Sequence, residues 1–341
     1  MTTVFYIILA IVAFGVLIAI HEAGHFIAAR LCGVAVYEFS LGMGPRLFGW
    51  TGKTGTKYNL RLFPIGGFVS MKGEDEDAEG DDSLSQKKPW QRFIIVAAGA
   101  AMNILLGLAI SLGLVLCGNI GTTVVGGFTD EAVTDEWLRV GDEIVEFNGT
   151  AVHTFYDLRY EILHDAYEPV DIVVIRDGER VTLEGVTFKT EVADGMVVGV
   201  RDFGLMIADK SVTSVIKHTF SLAFSTVKMI WESLIDLITG RVGVESVSGV
   251  VGATQAIGTV AQEGTYELFY FLSVLAMNLG VFNLLPIPAL DGGRLVFILF
   301  EMIFRRKVPE KFEGAVHFVG IVLLMGLMVL VTFKDIVKLF G

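Results

Sequence analysis

Cysteine is scarce in this sequence. Only Cys32 and Cys117 occur in 341 residues, which excludes a disulfide framework and a zinc site built from thiolates. Positive charge is in deficit: 26 Lys and Arg stand against 38 Asp and Glu, for a formal net charge of −12. A surface of that sign is unsuited to phosphate backbones, so no nucleic acid is expected as a partner. Charge of either sign is sparse at 19 %, while 53 % of residues are hydrophobic and the mean hydropathy is +0.62. That balance excludes a disordered chain and is too apolar for an ordinary soluble enzyme. Membrane lipid is therefore an expected partner.

What is present in abundance is long apolar runs. About 20 uncharged residues suffice to cross a hydrocarbon core of ~30 Å. Four runs qualify: Met1 to Ile20, Phe93 to Asn119, Leu268 to Leu290 and Gly314 to Phe333. The piece Leu295 to Phe300 is too short to span alone. The first run lacks a basic leading region and continues into His21, Glu22 and His25 rather than a small-residue cleavage site, so it reads as a retained span. Orientation follows from Lys and Arg near the span ends. Nine basic residues lie between Arg30 and Arg92, and four lie in the seven positions from Arg305 to Lys311. The long segment between the second and third spans carries ten, thinly spread. Both termini and that long segment are expected outside, with the two basic segments inside.

The segment 34–71 reads as short alternating strands broken by Gly42, Gly44, Gly49, Gly52, Gly55, Gly66 and Gly67. Strand backbone at a membrane survives only where protein or a water-filled cavity satisfies it, as in a hairpin beside the helices. The acidic stretch Glu74 to Asp82 reads as solvated. In the outer segment, Leu138 to Gly149 places a turn, an alternating strand and an Asn-Gly turn in sequence. A short helix over Asp157 to Leu163 follows, then a hairpin whose strands Val170–Ile175 and Arg180–Leu183 flank Arg176-Asp-Gly-Glu179. This small β-rich domain resembles a PDZ domain, chiefly through Gly141-Asp142 to Asn148-Gly149. Ser214 to Thr239 is amphipathic. It reads equally as a helix lying on the membrane and as one packing on the β-rich domain.

His21-Glu22-Ala23-Gly24-His25 carries the strongest chemical signal. On a helix, positions i and i+4 share a face about 6 Å apart along the axis. Two imidazoles there can bind one Zn²⁺, and the Glu between them can deprotonate a water at neutral pH. His and Glu at membrane depth are costly and usually functional. A hydrolytic zinc site needs a third protein ligand and an open position. His153, His164, His218 and His317 read as exposed or structural. Asp291, in Asn283-Leu-Leu-Pro-Ile-Pro-Ala-Leu-Asp-Gly-Gly293, is the better candidate. Pro286 and Pro288 break the third helix, and Gly292 and Gly293 allow a close turn. The alternative is that Asp291 caps the helix that follows. The expected topology puts His21, His25 and Asp291 at similar depth near the inner side.

Together these features make the chain resemble the site-2 protease family of intramembrane zinc metalloproteases, of the RseP/RasP type with a single PDZ domain. The resemblance rests on His21-Glu-x-x-His25, Pro64-Ile-Gly-Gly-Phe-Val-Ser-Met71, Gly99-Ala-Ala-Met-Asn103, the PDZ-like segment and Asn283 to Gly293. Ala100 stands where the family often has proline. The resemblance implies His21, His25 and Asp291 as zinc ligands and Glu22 as general base and proton donor. It implies Asn283 as a substrate-positioning donor, Asn103 as a support, and Gly66, Gly67, Phe68 and Val69 as a strand edge that holds extended substrate. The implied substrates are single-span membrane proteins such as anti-sigma factors or remnant signal peptides, cut after an upstream site-1-type protease has removed the ectodomain. The PDZ-like domain would then filter by size or read the new end. A membrane PDZ scaffold with a vestigial metal site is the rival reading, and the intact Glu22 speaks against it.

The expected fold is a polytopic α-helical membrane protein of the bacterial cell (inner) membrane. It has four transmembrane helices, a cytosolic-side membrane-associated β-hairpin region and one extracytoplasmic PDZ-like β-rich domain. The expected divisions are 1–30 for the first span, 31–92 for the hairpin region and acidic loop, and 93–118 for the second span. The PDZ-like domain follows at 119–208, an amphipathic helix and linker at 209–265, the third span with its short helix at 266–304, and the inner linker with the fourth span at 305–341.

Overall fold

The computed structural model describes residues 2–74, 79–193, 196–240, 243 and 247–340. The chain divides into two compact units, Met1–Ile110 with Ser233–Gly341, and Ser111–Glu232. Each long apolar run is helical, because a backbone in hydrocarbon can satisfy its N–H and C=O groups only within its own segment. The helices are α1 (Thr2–Leu31), α2 (Pro89–Cys117), α6 (Thr265–Leu284) and α8 (Glu310–Phe340). Within them Val4–Leu31, Pro89–Cys117, Thr265–Leu284 and Lys311–Asp335 are long and apolar enough to cross a membrane. The third ends earlier than expected, at Leu284, because Pro286 and Pro288 cannot continue the hydrogen-bond ladder.

The first unit exposes apolar side chains and buries a few polar ones within an otherwise apolar interior. Along α1, Val4, Phe5, Ile8 and Val12 are exposed whereas Glu22 and His25 are buried. Small residues let the helices approach closely. A Cβ on Gly24 would meet the carbonyl oxygen of Ala98, and one on Gly280 would stand 2.9 Å from that of Ala100. Ser273 Oγ donates to the Gly107 carbonyl at 2.9 Å, tying α6 to α2.

Residues 36–71 form two long bent strands, β1 (Val36–Thr51) and β2 (Lys57–Met71), where short broken strands were expected. The glycines bend the strands rather than end them: Gly42 and Gly44 take φ values of +83° and +84°. Phe39 pairs with both Val69 and Tyr58. Residues 36–41 therefore lie between two parts of β2, and 67–71 form an outer edge. Glu38 Oε1 anchors the interior, accepting from Ser40 Oγ at 2.5 Å, Arg61 Nη2 at 2.6 Å and Asn59 Nδ2 at 2.8 Å. Burial pushes Glu38 up, but these three donors outweigh it and hold its pKa at about 2.

Residues 75–78 of the acidic stretch lie outside the described residues. Its described ends are engaged rather than merely solvated. Glu74 Oε1 accepts from Arg294 Nη1 at 2.6 Å, and Asp82 Oδ1 from Lys72 Nζ at 2.7 Å. Between the amphipathic helix α4 (Val212–Thr239) and α6 lies a further helix, α5 (Val250–Glu263), within the segment read as linker. Asp335 Oδ2 of α8 accepts from the backbone N–H groups of Gly249 and Gly252, both at 2.9 Å, and so satisfies the α5 N-terminus. After the Pro-containing turn the chain re-enters a helix, α7 (Asp291–Phe304).

In the second unit, β3 (Ile120–Phe128), β4 (Glu143–Phe147), β6 (Val170–Arg176), β7 (Glu179–Val186) and β10 (Phe203–Ala208) form one antiparallel sheet ordered β10-β3-β4-β6-β7. β5 (Thr150–Ala151) pairs with β4, and β8 (Lys189–Ala193) pairs with β9 (Met196–Val200). The Asn-Gly and Asp-Gly turns take positive φ at Asn148, Gly149, Asp177 and Gly178, which suits tight hairpins. Helix α3 (Phe155–Asp165) starts on a Thr154–Asp157 capping box and packs Leu158 and Ile162 into a core with Ile144, Phe147 and Ile172. Asp142, just before β4, is buried against Arg176, with bonds of 2.8 and 2.7 Å. On α4, Ser225 and Lys228 join this unit through Thr154 and Glu161, while Ile216, Phe220 and Phe224 stay exposed.

Candidate metal centre

One helical turn of α1 carries His21, Glu22 and His25, all in its described, largely buried part. Room for the imidazoles comes from α2. A Cβ on Gly99 would collide with His25 Nε2 and stand 2.8 Å from His21 Cε1. The two Nε2 atoms are 3.2 Å apart. His25 Nδ1 donates to the Ile95 carbonyl at 2.9 Å, which fixes its tautomer and turns Nε2 toward His21.

The third member arrives from the turn after α6. Ala289 in that turn takes φ +80°, and Asp291 is the first residue of α7, with Leu290 in the capping position. Gly292 and Gly293 let the turn fold onto its own backbone; a Cβ on Gly293 would lie 2.7 Å from the Ile287 carbonyl oxygen. Asp291 Oδ2 stands 3.2 Å from Nε2 of His21 and 3.2 Å from Nε2 of His25. The carboxylate thus faces the histidines rather than the N-terminus of its own helix.

Three electron-rich atoms in a triangle of 3.2 Å edges repel unless a cation lies among them. Around a tetrahedral zinc with bonds of ~2.0–2.1 Å, donor atoms are spaced by ~3.3 Å. Asp291 Oδ2 is buried and has no hydrogen-bond partner among the described residues. A set of two imidazoles and one carboxylate also suits zinc chemically. The residues fit a divalent ion, and among the described residues they form the one cluster of this kind.

The model of peptidase family M50 matches residues 9–327. The chain belongs to peptidase family M50. Among its relatives is a Clostridium perfringens protein bearing the name of a zinc metalloprotease, 39 % identical over 97 % of this chain and 98 % of the relative. The zinc metalloprotease RasP of Geobacillus kaustophilus is 30 % identical, over 98 % of each chain. The regulator of sigma-W protease RasP of Bacillus subtilis is 29 % identical, over 98 % of this chain and 99 % of the relative.

The remaining site residues of this M50 chain fall in different places. Asn103 is fully buried on α2, its amide 3.3 Å from His21 Nδ1. With Nε2 aimed at the centre, His21 carries its proton on Nδ1. The Asn103 oxygen, buried with no other partner among the described residues, can accept that proton with the amide turned toward it. Asn283 instead donates to the Leu279 carbonyl of its own helix at 2.8 Å. Gly66, Gly67, Phe68 and Val69 lie on the outer edge of β2, and no further strand pairs with them among the described residues. His153 and His164 sit in the second unit, His218 on α4 and His317 on α8. The sequence carries no signal for the Ile95 carbonyl, and it reads His317 only as exposed or structural. Gly99 lay inside a recognised motif without a role of its own.

Proposed function

We propose that this chain hydrolyses peptide bonds within the membrane-spanning segments of single-span membrane proteins, with His21, His25 and Asp291 holding its zinc ion and Glu22 moving the proton. As a member of peptidase family M50 the chain is a zinc metalloprotease. The observation that carries the finer reading is the triangle of His21 Nε2, His25 Nε2 and Asp291 Oδ2, its two histidines on a helix apolar enough to cross a membrane and its carboxylate on the turn that follows another. Zinc held there supplies Lewis acidity and acidifies a water near neutral pH.

Glu22 sits between the two histidines in sequence and is buried beside them. In this reading it accepts the proton of the attacking water and returns it to the departing amine nitrogen. The substrate must first be unwound, because a helix hides its scissile carbonyl in its own hydrogen bonds. The outer edge of β2 at Gly66 to Val69 offers free backbone groups for an added strand. Gly67 brings that edge directly against Glu22. Asn103 supports His21, and Asn283, freed from Leu279, positions the substrate.

The second unit is read as a PDZ-like domain outside the bacterial cell membrane, together with both termini. It admits substrates whose ectodomain an upstream site-1-type protease has removed. The name of the Bacillus relative, tied to sigma-W regulation, favours anti-sigma factors over remnant signal peptides. The scaffold reading is set aside by membership of a peptidase family. The deciding experiment uses purified full-length protein in detergent with a model single-span substrate. Glu22→Gln is expected to retain zinc and lose cleavage by at least ~10²-fold. Cleavage at the wild-type rate would remove Glu22 from the chemistry.

A further inference from the structure

We infer that α8 is a positioning element for the metal centre: His317 and Gly320 seat the Pro288–Ala289 turn and thereby set where Asp291 stands. The inference rests on Asp291 being a metal ligand. Near its end α8 meets α5 through Asp335, while along its middle it is largely exposed. From Lys311 to Val331 its buried residues are Gly320 and Val331. Gly320 and His317 lie three residues apart, on one face of the helix. A Cβ on Gly320 would come 2.5 Å from Pro288 Cβ, so the absent side chain leaves a notch that the proline fills. One turn away, His317 Nδ1 accepts from the Ala289 N–H at 3.2 Å.

Ala289 is where such a partner is needed. Its φ of +80° lies in the region that side chains with a Cβ rarely occupy, so the conformation persists only if its surroundings enforce it. The turn is stiff downstream. Leu290 N–H donates to the Ile287 carbonyl at 3.2 Å, and Gly293 N–H to the Leu290 carbonyl at 3.1 Å. A shift at Ala289 therefore passes to Asp291 two residues later. The His317 ring also lies 6.0 Å from that of Phe297, on the helix that Asp291 begins. Accepting at Nδ1 leaves the ring proton on Nε2, which is buried with no partner among the described residues. A ring that served only to fill space would not require an acceptor aimed at this N–H.

The test compares His317→Ala, His317→Phe and His317→Asn in the full chain, purified with zinc in detergent. Zinc transfer to a chelator and steady-state cleavage are both measured. The Ala and Phe variants are expected to lose zinc about tenfold more readily and to show lower kcat at unchanged KM. Asn restores an acceptor near Nδ1 and is expected to behave as the wild type. Ala289→Gly removes the strain and is expected to suppress the His317→Phe defect. Should His317→Ala fail to accumulate, the Phe and Asn variants decide, since both keep a sizeable side chain. Wild-type zinc retention in the Phe variant, or no rescue by either Asn or Ala289→Gly, overturns the inference. Asp291→Asn is the control. If it releases zinc while His317→Phe does not, the positioning role alone has failed. If it too retains zinc, the ligand assignment beneath it has failed as well.

Discussion

Gly67 lies against Glu22. A Cβ on Gly67 would stand 2.9 Å from Glu22 Cγ and 3.0 Å from Ile18 Cγ2. The edge of the hairpin and the carboxylate-bearing turn of α1 are therefore in direct contact. Gly67→Ala is expected to displace one from the other and lower kcat by about 10–100-fold, with zinc content unchanged. Single-turnover cleavage alongside metal analysis checks this. A fall in zinc content would show that the contact shapes the ligands rather than the substrate path.

Gly99 plays the corresponding part behind the histidines. An added methyl would occupy the space of both imidazoles. Gly99→Ala is expected to abolish stoichiometric zinc binding and cleavage together, while the protein still inserts and folds. Chelator treatment of the wild type should give the same inactive state, reversible by added zinc; the alanine variant should not recover.

Asn103→Leu keeps the volume near His21 and removes its polar partner. About tenfold weaker zinc affinity is expected, the usual cost of losing an outer hydrogen bond to a ligand. Competition with a chromogenic chelator measures it. Asn103→Asp, which keeps an acceptor for the Nδ1 proton, should retain most of the affinity.

The second unit carries a pH-dependent stability element. Burial pushes Asp142 up, but the Arg176 guanidinium and the Arg139 N–H outweigh it and hold its pKa below the ordinary range. A depressed carboxyl stabilises the fold above its unfolded pKa of ~3.9 and loses that contribution as pH falls through the folded value. Amide exchange in β4 and β6 of the full chain should therefore accelerate below about pH 4. Asp142→Asn, which removes the charged partner of Arg176 but leaves it the Trp137 carbonyl, should cost about 1.5 kcal/mol at neutral pH and flatten the acid dependence. Equal exchange in both proteins at pH 7 would contradict this.

The elements that were legible in the sequence share one property: their signal is local. The four apolar runs, the Asn148-Gly149 and Asp177-Gly178 turns and the alternating strands β4, β6 and β7 each specify their backbone through their own residues, whereas β3, β8, β9 and β10 were not read from the sequence. Helix α5 was not legible. Its Gly252, Gly258 and interspersed polar residues carry no strong period, and its N-terminus is satisfied from Asp335, far along the chain. The two long bent strands were misread as several short ones because a glycine that bends a strand looks in sequence like one that ends it.

The sequence by itself determined that His21 and His25 face one way, because a helical pitch is set by the backbone and four residues always bring two side chains onto one face. It also determined that a carboxylate after a proline-broken helix was available as a partner. Only the tertiary structure decided that Asp291 turns toward the histidines and away from its helix end. Ile95, Gly99 and Ala289 serve through a carbonyl, a missing side chain and a backbone angle, none of which has a chemical signature in a sequence. Their roles exist only once α2 and the proline turn have packed against α1, and α8 against that turn.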